Sequence, residues 1–220
     1  MSGGAGEHGA SLPAGAAAMG VTLDDHQAAR LLTYGALILK WNKVYNLTAL
    51  RDPASVLTHH LLDSLAVIGP LARERPSGGT RTRLLDVGSG AGLPGAVIAM
   101  LRSDIDVVCL DAVAKKAAFV QQVAAELKLP NLRGLHARVE TLPGSYDVIS
   151  SRAFATLADF FQGSQHLLAP NGVWLAMKGK VPTEEMAELP TGAEVFHVEQ
   201  CTVPGLDAER CIVWARKAAA

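Results

Sequence analysis

The residue types best suited to chemistry lie in one glycine-rich stretch, from Asp86 to Gly95. An apolar run ends near Asp86, three glycines follow at positions 88, 90 and 92, and an Ala/Val/Ile-rich run comes next. This order predicts a strand, a tight turn and a helix. Glycines let a ligand approach the main chain closely, and the first N–H groups of a helix attract electron-rich groups. The stretch therefore predicts a site for a nucleotide-like ligand.

The glycine spacing separates the classes of nucleotide-binding loop. A dinucleotide fingerprint would need glycine where Leu93 stands, and the Gly-x-x-x-x-Gly-Lys-Ser/Thr pattern of a P-loop does not occur. The pattern acid-x-Gly-x-Gly-x-Gly, formed by Asp86, Gly88, Gly90 and Gly92, resembles the cofactor loop of class I methyltransferases, which bind S-adenosylmethionine. A tight turn without a ligand is the alternative interpretation of this stretch.

The ends of the later predicted strands carry polar residues. Asp111 ends the second strand, where an acid can accept both ribose hydroxyls of an adenosyl ligand, in NAD enzymes as well. Val139 and Glu140 follow the third strand, where a main-chain N–H and a carboxylate can contact an adenine edge. Arg152 and Phe154 follow the fourth and offer a planar cation and a stacking face to a carboxylate, a phosphate or a base. Alternatively, Asp111 is a solvated acid, Val139 and Glu140 belong to a surface turn, and Arg152 forms a structural ion pair.

Two kinds of methyl transfer lack their usual residues here. The chain after the fourth strand has no polar-Pro-Pro-aromatic motif, which enzymes acting on exocyclic amino groups usually carry. None of the three cysteines stands where a nucleophile for pyrimidine carbon is needed. Transfer to N7 of guanine requires neither a base nor a nucleophile, since that atom has a free lone pair. The sequence is consistent with N7 transfer by positioning in a dry pocket.

Global properties describe one domain with a modest appendage. The chain has 220 residues, 49% of them hydrophobic and 19% charged, and its formal net charge is −1. Nothing in this balance indicates DNA binding, and contacts to RNA would have to come from local patches. The cysteines and the seven histidines are not spaced as metal ligands, so we expect no metal site. We expect a monomeric cytoplasmic protein without a membrane helix, and a flexible tail over residues 1–20.

The remaining elements form a helical cap and an alternating α/β unit. Residues 21–80 predict a cap of amphipathic helices and a linker, and residues 81–220 predict the cofactor-binding domain. Strands that alternate with helices imply a mostly parallel sheet with right-handed crossovers. The last two strands, near Val195–Val198 and Cys211–Ala215, have no helix between them and predict an antiparallel hairpin. This arrangement resembles the Rossmann-like fold of class I methyltransferases.

Motifs from about residue 20 to residue 217 resemble, in order, those of one family, RsmG, also called GidB. They are Trp41-Asn42-Lys43-Val44-Tyr45-Asn46-Leu47-Thr48, Arg51-Asp52-Pro53, His60-Leu61-Leu62-Asp63-Ser64, the stretch from Asp86 to Gly95, Ser151-Arg152-Ala153-Phe154 and Lys178-Gly179-Lys180. That family methylates N7 of one guanine in bacterial 16S ribosomal RNA near the decoding region. The resemblance implies S-adenosylmethionine as cofactor and 16S rRNA or the small ribosomal subunit as partner.

The resemblance also implies roles for individual residues. The family's cofactor contacts fall on Gly88, Leu93, Val139, Glu140 and Arg152, and Asp111 matches the strand-end acid. The family commonly has Thr and Pro where this chain has Ser89 and Ala91, and Gln where it has Lys180. The last difference adds a positive charge near the expected RNA side.

The cap carries candidate substrate residues. We expect His60 and Asp63, with Arg152 and Phe154, to position the substrate, although His60 suits a structural hydrogen bond better than the role of a base. The candidates for RNA contact are Lys43, Asn46, Arg51, Lys178 and Lys180. Each can instead be a solvated charge or part of the helix junction. A small-molecule methyltransferase and a non-catalytic binder of S-adenosylmethionine or RNA in ribosome assembly are the alternative functions.

Overall fold

The computed structural model describes residues 11–153 and 155–218. Its strands are β1 (Thr82–Val87), β2 (Ile105–Asp111), β3 (Leu132–His136), β4 (Tyr146–Arg152), β5 (Leu168–Lys178), β6 (Ala193–Cys201) and β7 (Arg210–Lys217). They form one seven-stranded sheet in the order β3-β2-β1-β4-β5-β7-β6. Strands β1 to β5 are parallel, and β7 is antiparallel to both β5 and β6. The parallel sheet and its terminal hairpin confirm the predicted fold.

Helices cover both faces of the sheet. After β1 comes α6 (Gly95–Leu101), after β2 comes α7 (Ala114–Glu126), after β4 comes α8 (Leu157–Ser164), and after β5 comes α9 (Thr183–Ala187). Apolar residues of α6 and α7 share a buried cluster with one face, whereas Phe160 and Phe161 of α8 pack with Trp174 on the other. Because strands β1 to β5 are parallel, their carboxyl ends lie at the same edge of the sheet, between the two layers of helices.

The cap consists of short helices around one long helix. They are α1 (Leu12–Ala18), α2 (Asp25–Tyr45), α3 (Pro53–Val56), a π-helix (Leu57–Leu62), α4 (Asp63–Leu65) and α5 (Ile68–Glu74). Helix α2 begins at a capping box in which Asp24 and Gln27 exchange side-chain to backbone hydrogen bonds of 2.7 and 3.1 Å. Its residues Leu31, Tyr34 and Ile38 are fully buried, as the helical spacing predicts.

The cap belongs to the same core as the sheet. Leu31 and Tyr34 of the cap lie in one continuous hydrophobic cluster with Ile98 of α6 and Phe119 of α7. Because the cap is packed into this layer, side chains from its helices reach the carboxyl edge of the sheet.

The N-terminal segment differs from the predicted tail. Residues 1–10 lie outside the described residues, but Leu12–Ala18 form α1, and both Leu12 and Ala16 are buried. A β-carbon at Gly15 would lie 2.8 Å from the side chain of Leu62, so glycine there permits close contact with the π-helix. A composition rich in glycine and alanine is typical of a flexible segment, but in α1 these small residues permit close packing.

Candidate functional site

The glycine loop between β1 and α6 is held from below by Asp86. One carboxylate oxygen of Asp86 accepts the N–H of Gly95 at 2.9 Å, and the other accepts the Ser150 hydroxyl at 2.8 Å. Asp86 is fully buried, and burial raises its pKa to about 6. The two hydrogen bonds lower the pKa, but their effect is smaller than that of burial. The sequence predicts Asp86 as a cofactor residue; in the structure it lines neither of the two cavities beside the loop that are described below, and its contacts hold the loop.

Two loop glycines have different surroundings. Gly90 has φ +59°, its N–H donates to Asp111 Oδ2 at 3.0 Å, and a β-carbon there would meet nothing within 4 Å. Gly92 has φ +87°, and a β-carbon there would lie 3.0 Å from Val120 and 3.4 Å from the Tyr34 hydroxyl. Gly90 therefore keeps space open, whereas Gly92 permits packing of the loop on α7 and α2.

Two cavities meet at Gly88. The first, which we call the central cavity, has a volume of about 460 Å³ and extends from the loop to the cap and to the ends of β4 and β5. The second, the side cleft, has a volume of about 190 Å³ and lies between the ends of β1, β2 and β3. Both open at the carboxyl edge of the sheet, where ligands bind in open α/β folds.

The side cleft contains the residues predicted to contact an adenosyl group. Asp111, Val139 and Glu140 all line it, together with Gly88. Asp111 is almost fully buried; its Oδ1 accepts the N–H of Val113 at 2.9 Å, and Lys116 lies 3.7 Å from Oδ2. These contacts hold the carboxylate in place, and each oxygen keeps further acceptor capacity.

The central cavity contains a carboxylate shared by two arginines. Asp63 on α4 is 4% exposed. Its Oδ2 accepts Nη1 of Arg152 at 3.0 Å, and its Oδ1 accepts Nε of Arg210 at 2.7 Å. Arg152 Nη1 also donates to the carbonyl of His59 at 3.1 Å. Two cations on one anion leave a net positive charge at the junction of cap and sheet.

His60 is held as a neutral ring. Its Nε2 lies 2.8 Å from the Thr48 hydroxyl, and its Nδ1 lies 3.1 Å from the carbonyl of His59. Burial, and then the charge of Arg152, lower the pKa of His60 to about 4. His60 lines the central cavity with Asp63, Arg152 and Leu93, so the structure brings these four predicted residues together.

The predicted RNA residues form two separate groups. Lys43 and Arg51 line a hollow of about 280 Å³ on the outer side of the cap. Nη2 of Arg51 donates to Asn46 Oδ1 at 3.1 Å, so Asn46 belongs with them. Lys180 is exposed at the other end of the site.

Lys178 has partners of its own. Its ammonium group donates to both carboxylate oxygens of Glu185, at 3.0 and 2.8 Å, and to the carbonyl of Ala155 at 3.2 Å. This pairing ties the end of β5 to α9 and places a carboxylate beside the ammonium group of Lys178, which the sequence predicts as an RNA contact. Phe154 lies outside the described residues.

Two contributors to the site are absent from the sequence prediction. Arg210 is the first residue of β7 and follows a polar loop, and no local sequence pattern marks it as a site residue. Since β7 is antiparallel, however, its first residue lies at the edge where the parallel strands end, and its neighbour Cys211 pairs with Lys178. The helical spacing predicts Tyr34 as a core residue. In the structure its hydroxyl also donates a hydrogen bond of 2.6 Å to the carbonyl of Ala91 in the loop.

Residues 11–153 and 155–218 contain neither a cluster of metal-ligand residues nor a membrane-spanning helix. No group of three or more His, Cys, Asp or Glu residues there is arranged to hold a metal ion. No helix in those ranges is long and apolar enough to cross a membrane.

Solved structures share this fold at low sequence identity. TrmN from Thermus thermophilus superimposes with a TM-score of 0.55 at 19% identity, covering 74% of this chain and 53% of that one. A SAM-dependent methyltransferase from Aquifex aeolicus gives a TM-score of 0.55 at 18% identity, covering 77% of this chain and 96% of that one. These similarities confirm the class I methyltransferase fold.

Sequence relatives are much closer. A protein of Polaromonas sp. named ribosomal RNA small subunit methyltransferase G is 62% identical over 207 residues, which cover 93% of this chain and 92% of that one. Its namesake from Acidovorax ebreus is 60% identical over 215 residues, 95% of each chain. The profile of the family described as "GidB: rRNA small subunit methyltransferase G" matches residues 27–213. With this match spanning most of the cap, the glycine loop and the arginine cluster, the chain belongs to the GidB family of rRNA small subunit methyltransferases.

Proposed function

We propose that this protein transfers a methyl group from S-adenosylmethionine to N7 of one guanine in small-subunit (16S) rRNA, near the decoding region. The observation that carries the proposal is the central cavity, which joins the glycine loop to the two arginines that share Asp63 at the junction of cap and sheet. Family membership supports the rRNA substrate. We expect the small subunit or its RNA, and not DNA, to be the partner, and one copy of the chain to act alone.

The described residues fit S-adenosylmethionine as a ligand. The side cleft, with Asp111, Val139 and Glu140, suits the adenosine part, and the central cavity suits the amino-acid part. Among the described residues, Nε and Nη2 of Arg152 have no hydrogen-bond partner, so this guanidinium can still receive a carboxylate. Gly88 lies at the junction of the two spaces, and Leu93 forms part of the apolar wall.

When bound, S-adenosylmethionine supplies an electrophilic methyl group on a sulfonium centre. Guanine N7 has a lone pair and no proton, so the protein needs to remove no proton from it. Leu47, Leu93 and Met177 give the central cavity apolar walls that exclude water. His60 stays neutral and bonded to Thr48, which suits a structural role beside the substrate better than that of a base. The contribution of the chain is then orientation of two reactants.

The RNA side is assigned by charge and position. Lys43, Asn46 and Arg51 offer hydrogen-bond donors and acceptors on the outer cap, and Lys180 offers a cation beyond β5. Contacts of this kind to phosphates fix the register of a nucleic acid on a protein. Phe154 stays a candidate for stacking the target base by its place in the sequence.

The test is methyl transfer from labelled S-adenosylmethionine to small subunits or 16S rRNA that lack the modification, followed by nucleoside analysis. The proposal expects 7-methylguanosine at a single site. Cofactor binding without transfer to RNA or particles would contradict it and favour a small-molecule substrate or a non-catalytic assembly role.

A variant at the junction of the cavities separates catalysis from RNA binding. Gly88→Asp places a carboxylate where both cavities meet, and aspartate tolerates φ +66° better than most residues. We expect this variant to lose cofactor binding and methylation while it keeps its affinity for RNA. Methylation that survives the substitution would contradict the cofactor site.

A further inference from the structure

Another cavity borders the central one. This space, which we call the hairpin groove, has a volume of about 700 Å³ and lies between the end of β5 and the loop that joins β6 to β7. Gly179 and Arg210 line both the hairpin groove and the central cavity. The two spaces are therefore neighbours, with Arg210 on their common border.

Arg210 is only partly engaged by the protein. Its Nε donates to Asp63 and its Nη1 donates to the carbonyl of Glu209 at 2.8 Å. Among the described residues, Nη2 of Arg210 has no hydrogen-bond partner, and the side chain is 24% exposed. A guanidinium that is fixed by two bonds and keeps a free edge is well prepared to bind an anion.

Asp63 gives its two arginines different positions. Arg152 comes from the end of β4, next to the loop, and Arg210 comes from the start of β7, next to the hairpin groove. The shared carboxylate holds both cations at the same time, so one can face the cofactor side while the other faces the groove.

The lining of the hairpin groove matches a nucleoside better than a bare phosphate. Besides the cations Arg210 and Lys180 it contains the carboxylates of Asp207 and Glu209, the amide of Gln200 and the hydroxyl of Thr202. Carboxylate, amide and hydroxyl groups can bond ribose hydroxyls and base edges. Its volume is in the range of small-molecule sites.

We infer that the hairpin groove binds the nucleotide adjacent to the target guanosine, and that Arg210 binds the phosphate between the two. This inference rests on the proposed function, because it takes the target base to occupy the central cavity. A base in that cavity leaves its backbone at the rim, and the border at Gly179 and Arg210 offers a cation to the next phosphate. Arg210 is thus a positioning residue for RNA, distinct from the cofactor-side Arg152.

The experiment compares Arg210→Gln with Arg216→Gln in the full-length protein. Arg216 lies on the same strand, pairs at the surface with Glu194, and has its guanidinium over the ring of Phe196. It lines neither the central cavity, the side cleft nor the hairpin groove. The probes are small ribosomal subunits that lack the methyl group, and S-adenosylmethionine alone. KM for the subunits, the salt dependence of their binding and the Kd for S-adenosylmethionine are measured for each variant.

The inference expects Arg210→Gln to raise KM for subunits about tenfold, the effect of one charge-assisted hydrogen bond. The logarithm of the association constant for subunits decreases linearly with the logarithm of the salt concentration. The inference expects the magnitude of this slope to be smaller by about 0.7 to 1 in the variant, as for the loss of one phosphate contact. The Kd for S-adenosylmethionine should stay within about twofold, and Arg216→Gln should behave as the unsubstituted protein. Arg210→Lys should have the salt slope of the unsubstituted protein. Its KM should lie between those of the unsubstituted protein and Arg210→Gln, since lysine lacks the planar guanidinium.

Two results would overturn the inference: an unchanged KM and salt slope in Arg210→Gln, or a loss of S-adenosylmethionine affinity as large as in Arg152→Gln. The second would mean that Arg210 serves only to hold Asp63 and Arg152. Failure of the unsubstituted protein to methylate subunits would instead contradict the proposed function. The salt slope of subunit binding would still decide whether Arg210 contacts phosphate.

Discussion

The hydroxyl of Tyr34 in the cap donates a hydrogen bond of 2.6 Å to the main-chain carbonyl of Ala91 in the glycine loop. The two residues are 57 positions apart, and Tyr34 is fully buried. Burial raises the pKa of Tyr34, so its hydroxyl stays protonated and can keep donating. The cap thus holds the loop directly, through a group that sequence patterns assign only to packing.

Tyr34→Phe removes this bond and leaves a carbonyl unpaired. We expect a loss of about 1 kcal/mol in the free energy of unfolding and a several-fold weaker affinity for S-adenosylmethionine, because the loop is less constrained. Urea unfolding and titration calorimetry measure the two effects. The matched control is Tyr45→Phe on the same helix, where the side chain is 41% exposed and its ring contact with Trp41 is retained. Equal effects from both variants would contradict the loop-holding role.

Alanine at the two loop glycines should separate stability from binding. Gly92→Ala forces a positive φ and places a β-carbon 3.0 Å from Val120, so we expect a loss of about 2 kcal/mol in stability. Gly90→Ala meets no atom within 4 Å but lines the central cavity, so it should lose only about 1 kcal/mol while it weakens cofactor binding more strongly. Unfolding and cofactor titration of both variants check this order. The reverse order would show that the two glycines have been assigned to the wrong roles.

Asp63→Asn should be among the most damaging single changes at the site. It removes the negative charge that holds Arg152 and Arg210 together, and leaves two cations near each other with little solvent. Breaking a buried ion pair on one side costs about 3 kcal/mol. Glu194→Gln, which breaks the exposed pair with Arg216, should cost under about 1 kcal/mol. Denaturant titrations of both variants provide the comparison, and similar losses would contradict the importance of burial.

Protonation of His60 should reduce stability in acid. Its pKa is lowered to about 4 in the folded protein from an ordinary value near 6.5, so the unfolded chain binds the proton first as the pH falls. The free energy of unfolding should therefore decrease between about pH 6.5 and pH 4 from this residue. Asp86, with its pKa raised to about 6, acts oppositely and favours the folded state as the pH falls through that range.

His60→Gln isolates the histidine contribution. Urea unfolding at a series of pH values should show a smaller loss of stability toward pH 4 in this variant than in the unsubstituted protein. His197→Gln, at an exposed position on β6, serves as the control for the removal of a histidine from the chain. An identical pH dependence in the His60 variant and the unsubstituted protein would show that this ring is not kept neutral by folding.

The sequence predicts the sheet well because its periodicity and its glycine loop are local signals. The alternating pattern predicts the fifth strand over Val173–Met177, whereas β5 starts at Leu168, with a register shift between Tyr146 and Val148 opposite it. The hairpin followed from the missing crossover helix. The loop glycines and Asp111 lie where the local pattern places them, in the turn after β1 and at the end of β2.

Other features depend on tertiary contacts that no local pattern shows. Arg210 joins the site because β7 runs against its neighbours, Lys178 is neutralised by Glu185 from a helix that follows it, and Asp86 turns inward to hold the loop. Helix α1 forms on a composition typical of flexible chain because Gly15 fits against Leu62. The sequence therefore identifies candidate residues, whereas their burial and their ion-pair and hydrogen-bond partners in the fold determine the role of each.

The π-helix Leu57–Leu62 makes chain length in this segment as important as residue type. A π-helix accommodates about one residue more per stretch than an α-helix, and one residue corresponds to about 100° of rotation. Deleting a single residue there would let the segment rewind as α-helix and turn Asp63 and His60 away from Arg152 and Thr48. The angular phase set by this one wide turn therefore determines which side chains the cap presents to the sheet, and insertions or deletions in it should be tolerated less than most substitutions.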